Sequence, residues 1–172
     1  ARPRPLKRAG NTDKDALMEH FLQIKILHGV ATVLLFGGLL GLAFYAWRSW
    51  RTGDAARVAR GFKRVRLIGW PLLGLSLLAL PVSGWWLVHL AGWPLGQSWL
   101  LFGACLYLLG CIFWLVLAGR LARVQHQAGA AETAGAALGE QTLREIKVGL
   151  VMALLGAASF IAVAVLMVSK PL

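Results

Sequence analysis

The sequence predicts an all-α protein, a four-helix transmembrane bundle, and three observations carry that expectation. Residues of the set AVILMFWYC make up 58% of the chain, well above the roughly 45–50% apolar share of soluble domains. Charged residues amount to only 15%, and the mean hydropathy is +0.67. The apolar residues gather into four runs, each about as long as the roughly 20 residues that cross a bilayer core. With four such runs, 172 residues leave no room for a sizeable soluble domain.

The first run, about 26–47, carries no charge and contains Gly37-x-x-x-Gly41, a spacing that lets helices approach closely. The second, about 67–88, has Pro71 in its first turn and Pro81 well inside, where a missing N–H should bend the helix. A short uncharged loop, 89–98, leads to the third run at about 99–119, and the fourth is about 148–168. Between them, 120–147 is rich in alanine and glycine with mixed charges, and reads as a helical extension, a turn and a lead-in helix. Residues 1–17 are basic, proline-containing and without apolar periodicity, so a disordered tail is expected ahead of a membrane domain spanning 18–172. Met18 opens that domain and reads as a natural start.

The formal charge of +11 would suggest nucleic acid in a soluble chain. Here the basic residues lie between apolar runs, where the positive-inside rule and anionic headgroups account for them. The strongest segment is 48–66, with seven Lys or Arg against Asp54 alone. Eleven Lys or Arg fall after the first and third spans and seven on the other side, five of them before Met18. Both termini are therefore expected outside. Cys105 and Cys111, six residues apart on one helix, are turned roughly 240° from each other, as suits small apolar residues rather than a redox or zinc pair. Trp47, Trp50, Trp70, Trp93 and Trp99 sit at span ends like an aromatic belt, whereas Trp85, Trp86 and Trp114 lie deeper and are expected to line the bundle interior or a ligand.

An ionisable side chain within a span is costly and so marks function. His28 stands one turn inside the first span, with Lys25 on the same helical face, and His89 ends the second span on the same side of the membrane. Two imidazoles at one membrane face on neighbouring helices suit the axial positions of haem b. Lys25 and Lys170 lie at that face, placed for propionates or lipid phosphates. Thr32 and Tyr107 are candidates to orient a ligand, while His20 and His126 lie outside the spans. No span contains a carboxylate, which disfavours ion-coupled transport. The expected function is therefore haem b binding between the helices for membrane redox or tetrapyrrole-related chemistry. The alternative is a cofactor-free structural or assembly subunit of a larger membrane complex, with the bilayer, further copies of the chain or a respiratory partner around it.

Lys-Ile-Leu-His at 25–28, Ser-Gly-Trp-Trp-Leu-Val-His-Leu-Ala-Gly-Trp-Pro-Leu at 83–95, Ser-Trp-Leu at 98–100 and Leu-Met-Val-Ser-Lys-Pro at 166–171 resemble the bacterial integral membrane family designated domain of unknown function 2269. That resemblance implies a multi-pass protein of the bacterial cytoplasmic (inner) membrane. The opening Lys-x-x-His and closing Lys-Pro are also distantly similar to HemJ-type protoporphyrinogen oxidases and, more loosely, to CopD-like membrane proteins. The HemJ-type resemblance implies haem binding at His28; the lysine those proteins carry near the start of the third helix has no counterpart in 99–103.

The expected topology is checked by reporter fusions at the C-terminus: an alkaline phosphatase fusion should be active and a green fluorescent protein fusion dark, and the reverse pattern would place the termini inside.

Overall fold

Backbone amides in a bilayer have no water to bind, so a chain this apolar must satisfy them within helices. The computed structural model describes residues 9–169, with side chains from residue 14 onward. It has four helices: α1 (Ala9–Trp50), α2 (Ala55–Leu90), α3 (Ser98–Thr133) and α4 (Glu140–Ser169). All four are long and apolar enough to cross a membrane. The expected all-α, four-span architecture is therefore present.

The helices overshoot the spans they contain. Their lengths of 42, 36, 36 and 30 residues correspond to about 45–63 Å at 1.5 Å per residue, against a hydrocarbon core of about 30 Å. Residues 9–17, expected within a disordered tail, continue α1 backward instead; Ala16, Leu17 and Met18 are strong helix formers that let the span propagate. The segment 120–147 divides as expected into the end of α3, a turn and the start of α4. Asp54 caps α2 by accepting a hydrogen bond from the Ala56 amide at 3.0 Å. Gly92, at φ +67, supplies the left-handed residue that turns the chain from α2 toward α3.

Packing follows chain order: α1 lies on α2, α2 on α3 and α3 on α4, while α1 and α4 share no extensive interface. Two apolar cores result. One lies within the spans and joins Ala31, Leu35, Leu73, Leu77, Leu80 and Phe160, with Tyr107, Cys111 and Trp114 against it. The other lies beyond the span limits at the basic end, where Val58, Ala59, Phe62, Val124, Ala128 and Ile146 pack together. Val58, Val124 and Ala128 are at most 1% exposed, whereas Leu40, Leu75, Leu78 and Leu154 within the spans face outward. Water drives burial at the basic end, while lipid solvates leucine as well as a neighbouring helix does.

Small residues permit close approach within the spans. A Cβ at Gly110 of α3 would lie 2.8 Å from the ring of Phe160 on α4, while one at Gly103 would meet nothing within 4 Å. Gly110→Ala is expected to lower stability by about 1–3 kcal/mol through overpacking. Gly103→Ala should leave stability unchanged or raise it. Unfolding in detergent micelles, followed by circular dichroism, compares the two.

Candidate functional site

The proline at 81 organises the polar residues inside the spans. Pro81 has no N–H to offer the carbonyl of Leu77, four residues earlier, yet α2 runs unbroken through it. The hydroxyl of Tyr107 on α3 donates to that same Leu77 carbonyl and satisfies it. The Tyr107 ring in turn meets Phe160 of α4 edge-on at 5.7 Å between centroids. Tyr107, expected as a ligand-orienting candidate, thus ties three helices together.

Two residues beyond Pro81, Ser83 and Gly84 receive His28. Ser83 is 3% exposed, and its hydroxyl lies 2.6 Å from the Ala79 carbonyl and 2.8 Å from His28 Nδ1. A carbonyl only accepts, so the single Ser83 proton goes to Ala79 and the serine oxygen accepts from Nδ1–H. The Ser83 contact thus favours the Nδ1-protonated imidazole, and the backbone of Leu80 is a further hydrogen-bond partner of the ring. Gly84 admits the ring: a Cβ there would stand 3.4 Å from His28 Cε1. The Thr32 hydroxyl donates to the His28 carbonyl at 2.8 Å, which occupies it within α1.

The expected partners of His28 are placed differently. His89 is exposed and stacks on Trp85, ring centroids 5.4 Å apart and 19° between planes. Six residues past Ser83, it is turned roughly 240° around α2 from the position that His28 meets. Lys25 is exposed, and Lys170 lies outside the described residues. Among the described residues, no group of three or more His, Cys, Asp or Glu is arranged to hold a metal ion. Trp85 and Trp86, expected in the interior, are 55% and 51% exposed; they fall on the outward side of α2, where lipid accommodates indole readily. Trp114 does lie inside, with Trp70 edge-on at 4.8 Å.

Trp70 and Trp114 belong to a cavity of about 150 Å³ between all four helices, lined also by Trp47, Trp50, Leu73 and Leu117. Arg120 and Glu145 close its basic end with an ion pair at 2.6 Å, and Arg120 Nε is buried without a hydrogen-bond partner. Arg120 and Glu145 carry no such signal in the sequence, because both lie just beyond the spans. For the His28–Ser83 pair, the available signal was a histidine in one span and a serine shortly after a proline in the next.

If Tyr107 satisfies the carbonyl that Pro81 frees, Tyr107→Phe should cost about 1–3 kcal/mol by orphaning it. In a Pro81→Ala background, where position 81 regains a backbone N–H that can reach the Leu77 carbonyl, the same change should cost markedly less. A double-mutant cycle on unfolding in detergent measures that coupling.

Comparison with known proteins agrees with this architecture. No curated protein and no solved structure matches the chain. The model of the DUF2269 family, described as predicted integral membrane protein, matches residues 22–171, and the chain therefore belongs to that family of integral membrane proteins.

Proposed function

We propose that this membrane protein binds haem b, with His28 supplying an axial nitrogen, and serves membrane redox or tetrapyrrole-related chemistry. The observation that carries this reading is the His28–Ser83 hydrogen bond. Axial histidines commonly have one ring N–H held by a neighbour, and Ser83 is such a neighbour for Nδ1 of His28. The donor chemistry of His28 thus fits a haem iron, and bound haem would supply one-electron chemistry. In this reading Lys25, one turn earlier on α1 and exposed, would pair with a propionate. His89 is the further ligand candidate, and its position on another face of α2 puts it toward a group outside the α1–α2 seam. In this reading the periplasmic side of a bacterial inner membrane holds the histidine end.

A second reading rests on the same bond. His28 and Ser83 form a complete helix–helix hydrogen bond, which suits a cofactor-free subunit of a larger membrane complex.

The test is an absorption spectrum of the detergent-purified protein expressed with haem supplied, oxidised and dithionite-reduced. A b-type spectrum that His28→Ala abolishes, and that Ser83→Ala weakens or shifts, is the expected outcome. A colourless, folded protein that co-purifies with other membrane polypeptides would sink the haem reading and favour the second.

A further inference from the structure

At the basic end, the turn between α1 and α2 gathers arginines that the sequence shows only as a charge run. Arg48 from α1 and Arg57, Arg60 and Arg64 from α2 line one hollow of about 230 Å³, with Tyr45 and Ser49 forming part of its wall. The helices touch closely beneath it: a Cβ at Gly61 would collide with the Ser49 side chain. Four guanidinium groups held around one hollow repel each other unless anions intervene.

Carboxylates offset only part of this charge. Arg57 pairs with Asp54 at 3.5 Å and Arg60 with Glu132 at 3.2 Å, while Arg48 and Arg64 have no carboxylate partner among the described residues. Two positive charges remain unmatched. Arg64 Nη1 donates to the Tyr45 hydroxyl at 3.3 Å, so the Tyr45 proton is free to donate in turn. The Ser49 and Thr52 hydroxyls are committed to the carbonyls of Tyr45 and Ser49. The donors left for a guest are thus guanidinium N–H groups and one phenol, the set that binds phosphate oxygens.

What lies above the hollow indicates the rest of the guest. Gly41 and Gly37 stand one and two turns up α1 from Tyr45, toward the middle of the span. Both are exposed, and a Cβ at either would meet nothing within 4 Å. A shallow strip without side chains therefore leads from the arginines into the apolar zone. Trp47 at the same level carries Arg51 over its ring at 5.0 Å, an interfacial arrangement.

We propose that this hollow binds the phosphate of an anionic membrane phospholipid, whose acyl chain lies along Gly41 and Gly37. The phosphate oxygens accept from Arg48, Arg64 and Tyr45, and Arg57 and Arg60 keep their carboxylates at the rim. This site is separate from His28, so it stands whether or not haem is bound.

The test uses the full chain in a non-ionic detergent and follows its unfolding temperature during titration with dioctanoyl phosphatidylglycerol, dioctanoyl phosphatidylcholine or inorganic phosphate. The expected result is a saturable rise with phosphatidylglycerol alone, weakened at least about tenfold in R48Q/R64Q and unchanged in R144Q, which removes an exposed arginine elsewhere at the same end. The R48Q/R64Q protein should unfold at the wild-type temperature in phosphatidylcholine, which shows that it is folded. An equal response to phosphatidylcholine, a response to inorganic phosphate that matches the lipid, or a phosphatidylglycerol response that survives R48Q/R64Q would overturn the proposal. So would a lipid-independent dimer abolished by Gly41→Leu, which would place a second copy on the strip.

Discussion

A hydrocarbon interior gives backbone carbonyls no water, and the proline at 81 breaks the helical supply of donors in the middle of α2. Pro71 removes a second N–H from the same helix, and the closure of the gap at Pro81 draws in the neighbouring helices. Tyr107 reaches across from α3 to the Leu77 carbonyl, and its ring bears on Phe160 of α4. The residues just after the proline, Ser83 and Gly84, form the seat for His28 of α1. Side chains from all four helices thus meet around the Pro81 segment. The same local arrangement favours one tautomer of the histidine, since Ser83 commits its proton to Ala79.

Stability is distributed according to the solvent around each part. Within the spans, large residues such as Leu75 and Leu78 face outward, and glycines such as Gly110 and Gly156 bring α3 and α4 together. Beyond the spans, where water is present, Val58, Val124 and Ala128 form the most tightly enclosed core among the described residues. The Arg120–Glu145 ion pair lies at the junction of the two regimes, at the end of the central cavity. The helical overshoot therefore acts as a water-facing clamp on a membrane bundle whose own helix contacts are driven mainly by packing. It also holds the arginines of the α1–α2 turn in one place.

The four spans were legible because apolar runs of bilayer length have few other uses. The second core was less so: Val58, Phe62 and Val124 sit among arginines and alanines, and only the continuation of the helices past the membrane aligns them. Trp114 faced inward as expected, but Trp85 and Trp86 did not, because depth along a span does not fix the direction a side chain takes around it. The same limit governs the histidines. Sequence places His28 and His89 at one end of neighbouring helices, while their facing depends on which side of α2 packs against α1. The small, polar Ser83–Gly84 pair decides that, and the exposed Trp85–His89 stack lies elsewhere on the helix.

The central claim is that α1 docks on the Ser83–Gly84 side of α2, so that His28 is held there and not beside His89. The most direct measurement is crosslinking in membranes with a short bis-methanethiosulfonate reagent, in a background where Cys105 and Cys111 are replaced by serine. Cysteines at 28 and 84 should crosslink rapidly and completely, while cysteines at 28 and 89 should not. Efficient crosslinking of 28 to 89, with none between 28 and 84, would contradict the account.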